Sequence, residues 1–264
     1  MKNALLKAVL SLSFLAMLWY GLSLVDFRQA LEVESTNDTT EKLLGELIEK
    51  SMTQGALDLP EIVSPVDSIV HRICHFNSLD RSYIKVHIID NEVVNAFALP
   101  DGHIIINSGL LANTNQTQAS GVIAHEIAHI TQGHVMKKLV TEIGLSVIIS
   151  LVTGDTNPQL LKEIIKAISG SAYSRNLETE ADLLAVDYLI AAGISPQGFA
   201  DFLYTIEGNQ IESNQLLEWL QSHPDSKERA KAIVGYSKEK EVENLSHTPV
   251  VSKEDWETLQ SKLP

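Results

Sequence analysis

Residues 124–134 read AHEIAHITQGH, and this stretch restricts the possible folds more than any other in the chain. The surrounding pattern, from Gln116 through Leu139, is helical. Residues four apart project from one face of a helix, so His125 and His129 can offer two imidazoles to a single ion at about 2.0–2.1 Å each. Glu126, one position round, reaches the open side of that ion, where it can take the proton of a water acidified by the metal. The plain alternative is an amphipathic helix that happens to carry histidines. The two readings differ in one requirement: two ligands do not hold a catalytic ion, so a metal centre obliges a distant segment to fold back and supply a third.

His134 is a poor source for that ligand. It follows His125 by nine positions and lies about 180° around a continuous helix, so it is expected as a polar or helix-end histidine, with Gly133 marking a local weakening. The metzincin arrangement is absent too, because the residue ten after His125 is Val135. The better source is SRNLETEADLLAVDYL, residues 174–189. Here Glu178 and Asp182 share a helical face with Ala181 and Ala185, and the two alanines leave room for a second helix, as Ala124 and Ala128 do on the first. Glu180 points nearly opposite and is expected in solvent. Glu178 is therefore assigned to the metal, and Asp182 to accepting a ring N–H from a ligand histidine, which fixes its tautomer. Acids kept for solvation are the alternative, and the glutamate–aspartate pair gains specificity only beside HEIAH.

Composition narrows the chemistry. Cys74 is the one cysteine, so an intrachain disulfide and a zinc site built mainly of thiolates are both excluded; any metal site uses histidine and carboxylate. Thirty-four acidic residues against twenty basic give a net charge of −14, which repels phosphate backbones, so no nucleic acid is expected as a partner.

Lys2 and Lys7 precede an uncharged run from Ala8 to Val25. Its length falls between a secretory apolar region of about 7–15 residues and a membrane span of about 20. Residues 1–25 are read as a signal anchor or a signal peptide, with 26–36 as linker. Either form exports the remainder of the chain. The expected location is the extracytoplasmic (periplasmic) side, membrane-anchored if the segment is kept and soluble if it is cleaved.

Beyond the linker, 37–237 reads as one folded domain of mixed α+β class, mostly helical with one small sheet. Asp38 with Glu41, and Ser64-Pro65 with Asp67, read as helix starts. Runs at 84–90, 93–99 and 103–107 read as a small meander. Further helices are expected at 158–169, 176–192, 196–207 and 226–235. The apolar stretch Ile143 to Val152 is too short to span a bilayer; it reads as core, with a membrane-facing or substrate-covering flap as the sharper option. Residues 238–264 read as polar linker and a short helix bearing Trp256, Leu259 and Leu263. His71, Cys74 and His75 read as helix positions packing beside the core, not as a second metal site.

AHEIAHITQGH followed by YSRNLETEAD resembles the gluzincin zinc metallopeptidases that include the CAAX prenyl proteases, HtpX and the BepA-like enzymes, over roughly residues 40 to 235. The resemblance implies a zincin-like metallopeptidase domain holding one Zn2+ per chain through His125, His129 and Glu178, with Glu126 as catalytic base and Asp182 as the acid associated with the site. NAFALPDGHIIINSGLL, residues 95–111, is similar to the family segment before the active helix. It implies an edge strand that pairs with extended substrate, for which Asn95, Ala96 and Phe97 are the candidates. His223-Pro224, with Arg229 beyond, is similar to a downstream family element. His223 there could bind zinc as a fourth ligand and block the water site, or stabilise the oxyanion when charged. Arg229 is expected to pair a carboxylate near the site. The prenyl proteases have several membrane spans and this chain has at most one, which favours the BepA-like branch.

The expected activity is a zinc-dependent endopeptidase acting on unfolded or misassembled membrane or envelope proteins, attached to the membrane only if residues 1–25 are retained. A chaperone-like client-binding module with a closed, mainly structural zinc site is the alternative.

Overall fold

The computed structural model describes residues 37–154, 157–208, 213–240 and 247–264; the signal segment and linker of 1–36 lie outside them. Thr40–Pro264 form one compact unit, and every contact below lies within it.

Two helices open the described chain, α1 (Asn37–Met52) and α2 (Pro60–Phe76). Both begin earlier than the sequence signals suggest. Asp38 sits inside the first turn of α1, and Glu41 accepts the Asp101 N–H at 3.2 Å. In α2, Pro60 occupies the first turn, where a proline's fixed φ suits the start of a helix, and Pro65 lies inside the helix. His71 and His75 face solvent instead of the core, and Cys74 is buried.

The sheet holds β1 (Lys85–Ile89), β2 (Ala96–Ala98) and β3 (His103–Asn107) in the order β1-β3-β2. It is not a meander: β1 and β3 are parallel, and only β2 and β3 are antiparallel. The tight turn between β2 and β3, with Asp101 at φ 61° and Gly102 at φ 73°, makes a hairpin. Residues 90–95 instead carry the chain across β3 to its far side, which puts β3 in the middle and leaves β2 as an edge.

The short α3 (Ser108–Ala112) leads into α4 (Gln116–Thr131). Asn115 caps α4 with its side chain accepting from Thr117 and Gln118, and Gln118 returns a bond to the Asn115 N–H. Gly133, at φ 63°, separates α4 from α5 (His134–Glu142). The apolar stretch forms α6 (Leu145–Thr153), in which Ile148 and Leu151 are buried and the other apolar chains only partly so. Then come α7 (Pro158–Gly170), α8 (Arg175–Ala191), α9 (Gln197–Glu207), α10 (Ser213–Ser222), α11 (Ser226–Glu239) and α12 (Lys253–Lys262). Among the described residues, no helix is long and apolar enough to cross a membrane.

The core is layered around α4, buried from Ala119 through Ile130. α8 packs along it through Ala181 and Ala185, both fully buried. α9 crosses closer still: a Cβ added at Gly121 would lie 2.4 Å from Phe199 Cβ, and one at Gly198 would lie 2.6 Å from Thr117 Cγ2. α12 packs on α2 and ties down the segment leading into α4, its Trp256 Nε1 donating to Thr114 O at 2.9 Å and Gln260 Nε2 to Leu111 O at 3.0 Å.

Candidate metal centre

α4, α8 and the end of α10 converge on one buried cluster. His125 and His129 come from one face of α4, Glu178 from the first turn of α8, and His223 from just beyond α10; all four are 0–1% exposed. His125 Nε2 and His129 Nε2 are 3.0 Å apart. Glu178 Oε1 is 3.3 Å from His129 Nε2, and Oε2 is 3.7 Å from His125 Nε2. His223 Nδ1 lies 3.1 Å from Glu178 Oε1 and 3.4 Å from His125 Nε2. Ligands at zinc distances define a tetrahedron with edges of about 3.3 Å, and these separations bracket that value.

The protonation pattern makes the same case. His125 Nδ1 lies 3.0 Å from Asp182 Oδ1; a proton kept on that nitrogen faces the carboxylate and leaves Nε2 as the acceptor, with Arg229 Nη2 3.5 Å away. His129 Nδ1 lies 3.0 Å from His134 Nδ1, and with His129 as the donor its Nε2 lone pair likewise turns toward the cluster. Two lone pairs facing one another at this distance repel unless a cation stands between them. Charge agrees: Glu178 and Asp182 share the single guanidinium of Arg229, which leaves net negative charge beside the imidazoles for a cation to meet. Among the described residues this is the one group placed to hold a metal.

Asp182 is forked by Arg229, whose Nε donates to Oδ2 at 2.8 Å and Nη2 to Oδ1 at 2.7 Å. Arg229 Nη1 also contacts Glu178 Oε2. Burial opposes ionisation of Glu178, and His223 and Arg229 together outweigh it, holding the carboxyl well below the usual carboxylate range. Burial likewise works against Asp182, and the Arg229 guanidinium brings it below its ordinary value. Burial favours the neutral form of His223 and brings its pKa down to about 4. His129 is pressed the same way by burial and by the adjacent imidazole.

Glu126 is fully buried, and its Oε2 accepts the Ala98 N–H at 2.8 Å. Its other oxygen, Oε1, makes no hydrogen bond and lies 3.6 Å from His223 Nε2. Desolvation raises its pKa to about 7, a value suited to a group that takes and returns a proton near neutrality.

The proposed substrate strand adjoins this glutamate. Asn95, Ala96 and Phe97 are all buried, with Ala96 and Phe97 in edge strand β2. Antiparallel alternation gives the backbones of Asn95, Phe97 and Leu99 to β3, as Asn107 N–H to Asn95 O and Leu99 N–H to His103 O show. The backbones of Ala96 and Ala98 therefore turn away from β3 toward α4, where the Ala98 N–H is taken by Glu126 and both residues are fully buried. Within the triplet, Ala96 alone does not give its backbone to β3.

Two residues play parts their sequence positions did not suggest. The helix breaks at Gly133, so His134 is not carried to the far side of α4 but returns to His129, fully buried. Glu180, expected in solvent, is half exposed yet has Oε2 3.3 Å from His134 Nε2. The glycine was the available signal. Tyr173 was not singled out either; its ring stacks on His129 at 4.0 Å between centroids, and the Lys138 ammonium lies 4.2 Å from its centroid.

A sequence model of peptidase family M48 matches residues 64–237. The chain is 26% identical over 214 residues to "Metalloprotease LoiP" of Escherichia coli (strain K12), covering 78% of this chain and 83% of that protein. It is 28% identical over 163 residues to "Metalloprotease YcaL" of the same organism, covering 60% of this chain and 63% of that protein. With the "Beta-barrel assembly-enhancing protease" of E. coli (strain K12) it shares 26% identity over 181 residues, 62% of this chain and 37% of the longer protein.

Proposed function

The chain belongs to peptidase family M48 and is a zinc metalloendopeptidase, and on that premise we propose that it cleaves unfolded or misassembled membrane or envelope polypeptides at the His125–His129–Glu178 centre. The single observation that carries the site assignment is the pair of Nε2 nitrogens 3.0 Å apart, each ring having a polar neighbour 3.0 Å from its Nδ1 and the Glu178 carboxylate closing the third side.

His125, His129 and Glu178 would hold one zinc per chain. When bound there, zinc supplies a Lewis acid and lowers the pKa of water at its open position. Glu126 takes the proton of the attacking water on Oε1, the oxygen left without a partner, and delivers it to the leaving amine. The Ala98 N–H fixes Oε2 meanwhile, so the glutamate presents one oxygen consistently. Asp182 and Arg229 keep His125 in the tautomer that offers Nε2. The Ala96 backbone, turned away from β3 but fully buried in this structure, would pair with an extended substrate once uncovered and select it by main chain, not side chain, which suits clients that have lost their fold.

With zinc bound, His223 would be a fourth ligand at the position that water needs. Its Nδ1 sits among the three ligand groups and its ring stacks on Trp219 at 4.3 Å, so the arrangement is a resting one that a substrate must displace. A closed, structural zinc site with chaperone-like client holding is the second reading, favoured by the same full burial of His223. Residues 1–25 would place the domain on the extracytoplasmic (periplasmic) side, anchored or released.

The decisive comparison is wild type against Glu126→Gln, using casein as the unfolded substrate and metal analysis alongside. The peptidase reading requires cleavage to vanish while zinc stays near one per chain. Cleavage retained in full by the variant removes Glu126 from the mechanism.

A further inference from the structure

We propose that His134 and Glu180 are positioning residues for the metal centre, acting through His129 as a two-step polar relay that ends at the protein surface. The inference rests on the metal-centre reading above but not on the identity of the substrate.

The proton positions are set by one condition. If His129 uses Nε2 for the ion, its Nδ1 carries the proton and donates to His134 Nδ1 at 3.0 Å. That nitrogen must then be an acceptor, which places the proton of the neutral His134 ring on Nε2. There it faces Glu180 Oε2 at 3.3 Å. The first link is a hydrogen bond and the second a close polar contact, Nε2 lying near Glu180 without hydrogen-bond alignment, and no other tautomer of His134 serves both neighbours. His125 shows the shorter version of the same device, with its Nδ1 directly on the Asp182 carboxylate at 3.0 Å.

The two imidazoles are thus backed unequally. Asp182 is 2% exposed and locked by Arg229, whereas the Glu180 side chain is 52% exposed. An orienting carboxylate fixes ring rotation and raises the basicity of the ligand nitrogen. For His129 that influence passes through an intervening ring. Its plane is held separately by Tyr173, stacked at 4.0 Å and 21°. Rotation is left to His134, which reaches it only because Gly133 takes φ 63° and restarts the helix at His134.

The test uses the full-length chain and four variants: His134→Phe, which removes the acceptor; His134→Asn, whose amide oxygen can stand in for Nδ1; and Glu180→Ala and Glu180→Gln. Zinc affinity is measured by competition with a chelator, with thermal midpoints of the metal-free proteins and kcat and KM on casein alongside. His134→Phe should weaken zinc binding by about 10–100-fold, and His134→Asn should recover most of that loss. Glu180→Ala should weaken it by less than about tenfold, because the carboxylate is half in solvent, with Glu180→Gln between it and wild type and the metal-free midpoint of both unchanged. kcat should fall in the same order at near-constant KM. Wild-type zinc affinity in both His134→Phe and Glu180→Ala overturns the proposal. So does His134→Asn performing no better than His134→Phe while both lose thermal stability in step, since that marks a purely structural histidine. The affinity readout needs no peptide hydrolysis, so failure of the peptidase assignment would leave the affinity order intact and be seen separately.

Discussion

Arg229 and Asp182 meet side-on, the guanidinium Nε 2.8 Å from Oδ2 and Nη2 2.7 Å from Oδ1, beneath a histidine that needs its tautomer fixed. A bidentate pair at 6% and 2% exposure cannot lose one member cheaply, because the remaining charge stays buried. Arg229→Leu should destabilise the protein by about 3–5 kcal/mol, read from denaturant unfolding. Arg229→Lys should recover little, since a single ammonium cannot make the fork. A loss below about 1 kcal/mol, the range of solvent-screened pairs, would show that the pair is not sealed from water.

His223 Nδ1 lies 3.1 Å from Glu178 Oε1 and 3.4 Å from His125 Nε2, where it would be a fourth ligand, and burial brings its pKa down to about 4. If it is a displaceable plug, His223→Ala should raise the initial rate of casein cleavage while zinc content stays near one per chain. A structural fourth ligand gives the opposite pair of results, metal lost and no cleavage gained. Both quantities come from one preparation by metal analysis and gel-based proteolysis.

Gly121 tests packing rather than chemistry. A methyl group there meets Phe199 Cβ at 2.4 Å, so Gly121→Ala should cost about 1–3 kcal/mol by forcing α9 away from α4. The displacement would also loosen the helix that carries His125, and zinc affinity should fall with stability. Unchanged unfolding and unchanged affinity would mean that the two helices are not in this register.

The sheet carries an acid-sensitive pair remote from the metal. His103 Nδ1 lies 2.9 Å from His87 Nε2, and His103 Nε2 lies 3.3 Å from the Lys85 ammonium. Burial first, then Lys85 and His87, lower the His103 pKa to about 4. The unfolded chain therefore binds this proton before the folded one does. Its contribution to stability is complete above about pH 6.5 and is lost as pH falls toward 4. His103→Gln should flatten the stability profile between those values by on the order of 1 kcal/mol, allowing for partial solvent access. An equally steep profile in the variant assigns the acid sensitivity elsewhere.

The sequence shows the crossing of α4 and α8 because helical spacing alone puts Ala124 and Ala128 beside the histidines, and Ala181 and Ala185 beside Glu178 and Asp182. It shows the small sheet as three β-branched runs, but not its order. Whether residues 90–95 form a turn or a crossover depends on where β3 packs, and local composition does not encode that. His134 escaped because the helical angle count assumed an unbroken helix, and one glycine in the left-handed region invalidates it. Gly121 and Gly198 gave no local signal either, since a glycine inside a helix declares its purpose only when the facing helix is known.

The most direct measurement is zinc titration of the metal-free full-length protein, with X-ray absorption on the loaded form, repeated for Glu178→Ala. Convergence of His125, His129 and Glu178 predicts one zinc per wild-type chain in a nitrogen and oxygen shell at about 2.0–2.2 Å, and an affinity at least about a hundredfold weaker in the variant, beyond the effect of an outer partner. Stoichiometric binding of equal strength in Glu178→Ala, or no binding by the wild type, would contradict it.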